Sequence, residues 1–313
     1  MIAFGPIPSR RLGKSLGINN ISGLKTCTYS CVYCQVGARC RMTDTRQTFY
    51  APEVLNKEVN HHYSLLQAGD KPDFLTFVAN GEPTLDQNLG REIKQLHSLG
   101  IPVAVISNAS LLSDPEVRKN LSLADWVSVK VDAGDESTRE RINRPLPSLR
   151  FEKYMEGLLE FRKMYTGTLV TETMLADGFN DNEEQLEMTA KLVSMLNPET
   201  AYIAIPTRPP AVSSVRPPAH QRLIQAYDLF TKTGVHTELI IGFEGTAFSH
   251  TGNVRNDLLY ILAVHPLRED AIQVLLRKNN SDWSVVGELI RENLIRKVNY
   301  RNYTYYLRQY SGN

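Results

Sequence analysis

Short apolar runs rich in β-branched residues recur along the first three quarters of the chain, and between them apolar side chains repeat at helical spacing. The runs fall at 73–79, 103–107, 126–132, 169–175, 201–205 and 237–241, with an earlier one at 16–22. Ile93, Leu96 and Leu99, and later Leu186, Leu192, Val193 and Leu196, mark helices between them. Ser113 ahead of Pro115 and Glu116, and Asp181 ahead of Glu184, read as helix N-caps. Strands alternating with helices predict βαβ units on a parallel sheet with right-handed crossovers, about six or seven in all, enough for a partial (β/α)6-type or complete barrel.

After Gly252 the pattern changes. Residues 254–264, 269–277 and 283–292 read as helices, and 294–298 and 303–308 as strands about a turn at 299–302. That order predicts a small winged-helix-like α+β domain over 253–313 following an α/β domain over 1–252. From Leu289 onward five basic residues (Arg291, Arg296, Lys297, Arg301, Arg308) face one acid, Glu292, interleaved with Tyr300, Tyr303, Tyr305, Tyr306 and Tyr310. Such a mixture suits phosphates and stacked bases, and equally an ordinary half-buried hairpin.

Composition narrows the class. Of 313 residues, 42% are apolar and 22% charged, which fits a globular protein and excludes global disorder. A net charge of +1 excludes a chain-wide field that would draw in nucleic acid or an anionic membrane. No uninterrupted apolar stretch of about 18 residues occurs, and the opening residues lack a basic segment followed by an apolar one, so a cytoplasmic location away from membranes is expected. Residues 207–218 are proline-rich and must be extended or turning.

The four cysteines, Cys27, Cys31, Cys34 and Cys40, all fall within 14 residues, which is not how a disulfide framework is spread. Cys27, Cys31 and Cys34 form C-x3-C-x2-C in a loop after the first strand, and three such thiolates can hold three irons of a [4Fe–4S] cluster, leaving the fourth iron open. Two alternatives stand beside this: a structural zinc site completed by Cys40, or metal-free buried thiols. Asn80-Gly81-Glu82-Pro83 lies just after the next strand and Ser107-Asn108 at the end of the one after, both at the rim where parallel-barrel sites sit. Lys130 and Asp132 occupy alternate positions of the 126–132 strand, hence one face, where a buried pair must be partnered.

Together these features resemble the radical S-adenosylmethionine (radical SAM) superfamily, whose signature is C-x3-C-x-aromatic-C with Tyr33 as the aromatic. The opening Gly5 to Gly13, the stretches Asp132-Ala133-Gly134-Asp135 and Arg141-Ile142-Asn143-Arg144-Pro145, and Ile205 to Pro210 look most like a branch related to wyosine-type tRNA-modifying enzymes and to the GTP-cyclising enzyme of molybdenum-cofactor synthesis. The resemblance implies that Cys27, Cys31 and Cys34 ligate the cluster and that the open iron chelates the amino and carboxylate groups of SAM. It implies SAM contacts by Tyr33 near the adenine, by Gly81, Glu82 and Pro83 near the methionine ammonium, and by Ser107, Asn108, Lys130 and Asp132. Electron transfer from the cluster would then cleave SAM to a 5′-deoxyadenosyl radical that takes hydrogen from substrate, with a low-potential donor such as a flavodoxin or ferredoxin as partner. Arg10, Arg11, Arg144 and Arg208, with Arg141, sit in loops that suit an anionic substrate, either an RNA (tRNA) nucleotide or a small phosphorylated molecule. From other classes, an Fe–S redox-responsive nucleic-acid-binding regulator and a maturation factor acting on a metallocofactor or client protein are the competing readings.

Overall fold

The β-branched runs form strands of one curled sheet in a computed structural model that describes residues 2–246, 248 and 251–309; Tyr310 lies outside the described residues. The strands are β1 (Ala3–Ser9), β2 (Gly13–Ile18), β5 (Phe74–Phe77), β6 (Val103–Ser107), β7 (Trp126–Lys130), β8 (Thr168–Met174), β9 (Thr200–Ala204) and β10 (Thr237–Ile240), adjacent in that order. A two-stranded piece, β3 (Thr26–Cys27) and β4 (Arg41–Met42), is inserted after β2. β2 and β5 to β10 run parallel, whereas β1 is antiparallel to β2. The crossovers carry α1 (Pro52–Ser64), α2 (Leu89–Leu96), α3 (Pro115–Leu121), α4 (Glu136–Ile142) with α5 (Phe151–Met164), α6 (Glu183–Leu196) and α7 (His220–Lys232). This agrees with the expected βαβ alternation. β1 was masked in the sequence by Pro6 and Pro8, which an edge strand tolerates because a missing N–H there breaks no inner ladder.

Both faces of the sheet are covered, which is why its strands read as continuous apolar runs rather than alternating ones. Val103, Val105, Val127, Val129 and Ile203 pack under the helices with residues such as Leu158, Phe161 and Val193. Their neighbours Ala104, Trp126, Val170, Tyr202 and Ala204 close the concave face with Leu12 and Ile240. Two caps lie one residue later than expected. Asp114, not Ser113, accepts from Glu116 N–H at 2.8 Å, and Asn182, not Asp181, accepts from Gln185 N–H at 2.9 Å. In each case the capping residue is the one with extended backbone (ψ 119° and 160°).

The remaining segment runs α8 (Val254–Leu262), β11 (Leu267–Arg268), α9 (Glu269–Lys278), α10 (Ser284–Arg291), β12 (Ile295–Tyr300) and β13 (Tyr303–Arg308), with sheet order β11-β13-β12. The turn is tighter than 299–302: Arg301 and Asn302 both take positive φ (48° and 65°), as a two-residue hairpin turn requires. Leu258, Ile261, Leu275, Val286 and Leu289 form its core, and Ile7 of β1 packs against them. The tyrosines are largely used in packing. Tyr300 and Tyr305 donate to the carbonyls of Pro206 (2.9 Å) and Thr207 (2.8 Å), Tyr306 is buried against Trp283, and Tyr303 alone of these four is exposed. The described side chains of this face therefore anchor the hairpin instead of presenting a row of stacking surfaces.

Candidate active site

The cysteine loop is held from two sides. Thr26 N–H donates to Asn80 O and Glu82 N–H to Thr26 O, both at 3.1 Å, so β3 is stitched to the Asn80–Glu82 segment beyond β5. On the other side Ser30 N–H donates to Asn143 O (3.1 Å), Val32 N–H to Ile142 O (2.9 Å) and Leu146 N–H to Thr28 O (3.1 Å). The segment after α4, singled out in the sequence as Arg141 to Pro145, is thus the second brace.

Each of the three signature thiols meets one N–H donor from outside the C-x3-C-x2-C motif. The Asn108 amide donates to Cys27 Sγ and the Asn143 amide to Cys31 Sγ, each at 3.6 Å, and the Lys25 ammonium donates to Cys34 Sγ at 3.1 Å. Cys40 differs: its thiol donates to the carbonyl of its neighbour Arg41, and the N–H that reaches it is the backbone amide of Cys27. Burial pushes the Cys27 thiol well up and that of Cys31 up to about 12, and neighbouring anionic groups add to both shifts. Lys25 is itself buried, yet its pKa is raised, because the thiolates of Cys34, Cys40 and Cys27 outweigh desolvation. Among the described residues no three His, Cys, Asp or Glu side chains gather tightly enough for a single metal ion. That disfavours four thiols around zinc but not a cluster, whose cysteines each bind a separate iron and need not meet at one point. The donor set fits: thiolates ligating a cluster are stabilised by N–H groups aimed at sulfur.

Glu82 lies at the rim, fully enclosed. Its Oε1 accepts from Thr84 N–H (3.1 Å), Thr84 Oγ1 (2.7 Å) and Ser107 Oγ (2.7 Å), and its Oε2 from Asn108 N–H (2.7 Å). Burial raises its pKa even against these donors. The carboxylate thus ties the expected Gly-Glu and Ser-Asn motifs into one unit, with Pro83 between them fixed by Asn20. Gly81, at φ +140°, has no room for a side chain against Thr26.

Lys130 and Asp132, expected on one face with each needing a partner, both meet Tyr33 and each has partners of its own. Asp132 accepts from Tyr33 OH, from Asn143 Nδ2 (2.7 Å) and from Met174 N–H (2.7 Å). Lys130 pairs with Glu172 of β8, directly opposite in register, and lies 5.3 Å from the Tyr33 ring centroid. Burial lowers the Lys130 pKa, and the nearby Asp132 opposes the shift.

A family model described as the radical SAM superfamily matches residues 21–193, more than half of the chain. The chain belongs to the radical SAM superfamily. It is accordingly an enzyme, of a superfamily that as a general property uses SAM, a [4Fe–4S] cluster and a reductant. A UPF0026 protein of Methanocaldococcus jannaschii is 41% identical over 309 residues, 98% of this chain and 96% of its own. An S-adenosylmethionine-dependent nucleotide dehydratase of Flammeovirga pacifica is 28% identical over 113 residues, 34% of this chain and 39% of its own. Among solved structures, SuiB of Streptococcus suis bound to S-adenosylmethionine superposes with a TM-score of 0.53 at 10% identity, over 71% of this chain and about half (49%) of SuiB, a likeness of fold.

In this radical SAM chain the arginines divide. Arg11 pairs with Glu172, so that one carboxylate lies between Arg11 and Lys130. Arg10, whose pKa burial and Arg208 lower to about 10, donates to the carbonyls of Ile240 and Gly242. Arg208 binds Gln35, the residue after Cys34, and Glu244 (2.8 Å). Arg144 stands apart, exposed beside the cysteine loop with φ +48°. Sequence reasoning missed Lys25, Gln35, Asn143, Glu172, Glu244 and His265 as site-building side chains. The one local signal was Glu172, a lone acid within a buried strand. Among the described residues no helix is long and apolar enough to cross a membrane.

Proposed function

We propose that Cys27, Cys31 and Cys34 ligate a [4Fe–4S] cluster beside bound SAM, and that the enzyme abstracts hydrogen from an anionic substrate. The observation that carries this is that each of these three thiols meets a side-chain N–H donor, from Asn108, Asn143 and Lys25, whereas Cys40 meets only a backbone N–H among the described contacts, that of Cys27. When bound and reduced, the cluster supplies the electron that cleaves SAM to a 5′-deoxyadenosyl radical. The chain's own part is positional. Asn108 and Asn143 orient Cys27 and Cys31, and Lys25 offsets charge at Cys34. Gly81 lets backbone approach the methionine moiety, Glu82 fixes Ser107 and Asn108, and Asp132 holds Tyr33. Arg10, Arg11, Arg144 and Arg208 supply cationic groups toward the substrate, and Lys130, 5.3 Å from the Tyr33 ring centroid, lies on the SAM side. Residues 253–313 serve as a winged-helix-like recognition domain on a radical SAM barrel over 1–252, the element order α8-β11-α9-α10-β12-β13 supporting that reading.

Anaerobic reconstitution should give about four irons and four sulfides per chain, and dithionite with SAM should yield 5′-deoxyadenosine. Cys27→Ala, Cys31→Ala or Cys34→Ala should abolish both, while Cys40→Ala should keep both. A cluster that survives Cys31→Ala but not Cys40→Ala would overturn the ligand assignment.

A further inference from the structure

A cavity of about 440 Å³ opens where the hairpin tip of the C-terminal segment faces the loops that leave β9 and β10. Its position follows the rule that α/β sites lie beyond the carboxyl ends of parallel strands, and its size is within the range of small-molecule sites. Three arginines line it, Arg208, Arg268 and Arg301, and two of them are paired: Arg208 with Glu244, also in the lining, and Arg268 with Asp270 of α9. Glu244 is already committed. It pairs with Arg208 at 2.8 Å and His265 at 2.7 Å, and these two hold its carboxyl ionised far below the usual range. Arg268 lies 4.1 Å from the Phe243 centroid and 3.8 Å from that of Tyr303 while its Nε and Nη2 donate to Asp270 at 3.0 and 2.6 Å, and both rings remain half-exposed (37% and 48%). Arg301 makes no salt bridge among the described residues and projects from the turn at φ +48°.

We infer that this cavity binds a free small-molecule anion carrying a planar ring, its phosphate or carboxylate held by Arg301 and its ring laid on the exposed parts of the Phe243–Tyr303 wall. Arg301 provides the anion site, since a guanidinium fork without an ion-pair partner among the described residues can bond phosphate or carboxylate bidentately. The exposed aromatic and aliphatic wall, continued by Ile241, provides the ring site. A macromolecular ligand is disfavoured because Tyr300 and Tyr305 tie the hairpin down over the cavity through Pro206 and Thr207. The cavity is joined to the proposed cluster loop by Arg208, which holds Gln35 next to Cys34. As the substrate site it rests on the proposed radical SAM chemistry; as a binding site it does not.

The test uses guanosine 5′-monophosphate as the probe, a purine that does not offer the adenine of SAM. Binding to the reconstituted full chain would be followed by calorimetry, with guanosine and inorganic phosphate as separate arms. Saturable binding of the nucleotide, weakened by salt and at least tenfold tighter than that of either part, is expected. Arg301→Asn, a residue suited to the turn's positive φ, should weaken it about tenfold or more, while Arg296→Ala on exposed β12 should not. No saturable binding at millimolar nucleotide, or equal affinity in Arg301→Asn, overturns the inference. SAM cleavage to 5′-deoxyadenosine measured on the same samples separates the two ideas: cleavage without nucleotide binding sinks this site alone, and binding without cleavage sinks the proposed chemistry alone.

Discussion

Gly81→Ala is the substitution with the most defined consequence. A Cβ at Gly81 would stand 1.7 Å from the Thr26 carbonyl oxygen and 2.6 Å from its carbon. Both are backbone atoms of β3, so no side-chain rotation relieves the contact. Either β3 moves or residue 81 abandons φ +140°, and each route breaks the two 3.1 Å hydrogen bonds that join Thr26 to Asn80 and Glu82. Two backbone hydrogen bonds contribute about 1 kcal/mol each and the forced backbone strain about 1–3 kcal/mol, giving a local penalty of roughly 3–5 kcal/mol. The penalty is local because the β2–β5 ladder ends at Phe77, upstream of the clash. Hydrogen exchange of the Thr26 and Glu82 amides should therefore accelerate by two orders of magnitude or more (about 1.4 kcal/mol per tenfold), while the far-ultraviolet spectrum stays native. Iron content after reconstitution should drop well below one cluster per chain, because Cys27 follows Thr26 directly. Wild-type exchange at both amides together with full iron loading would refute the reasoning.

Three further outcomes are expected. Glu92 in α2 is buried without a basic partner, and desolvation, reinforced by Asp86 and only partly offset by Asn20, raises its pKa to about 9. The folded state therefore keeps a proton that the unfolded chain loses above its ordinary 4.5, so stability falls as pH rises from about 4.5 to 9, by about 3 kcal/mol at pH 7; Glu92→Gln should be more stable than wild type in urea at pH 8 and equal to it near pH 4.5, and no gain at pH 8 would dismiss this. Lys25→Met removes the ammonium 3.1 Å from Cys34 Sγ and should lower the midpoint potential of the cluster in a spectroscopically monitored titration, because a nearby cation favours the more negative reduced form; an unchanged or higher potential would count against it. Glu82→Gln cannot accept at both oxygens, so one side of the Thr84–Ser107–Asn108 set loses its acceptor, and SAM affinity by calorimetry should fall roughly ten- to a hundred-fold, with unaltered affinity removing Glu82 from the site.

What could be read from the sequence and what could not follows from the range of the interactions. The parallel strands were legible because burial on both faces leaves long apolar runs, and the thiols and the Gly-Glu and Ser-Asn motifs because short spacings at strand ends survive any change in packing. β1 was not legible, since prolines on an edge strand look like a turn. Lys130 and Asp132 were legible as buried residues of one strand that each need a partner, and both meet Tyr33; that Glu172 stands opposite Lys130 was not legible, because register is decided by packing across the sheet. Asn143 and Asn108 lie in stretches that stood out in the sequence, but that they donate to Cys31 and Cys27, 112 and 81 residues away, was not legible, because no local pattern carries information over such a separation. Lys25, nine residues from Cys34, was hidden differently, as an ordinary basic residue whose burial only the folded loop reveals.

The Arg10 guanidinium has a consequence for how this chain behaves in company. The sheet does not close by a ladder among the described residues, so β10 is left as an open edge of the kind that invites pairing with another molecule. Arg10, from the turn at the opposite edge, occupies the carbonyls of Ile240 and Gly242 at that strand's end. An incoming strand would have to displace a half-buried cation from two acceptors before forming its first bond there. One side chain thus acts as a clasp across the gap, and it lets the rim stay open for ligands while the molecule remains a poor template for self-association.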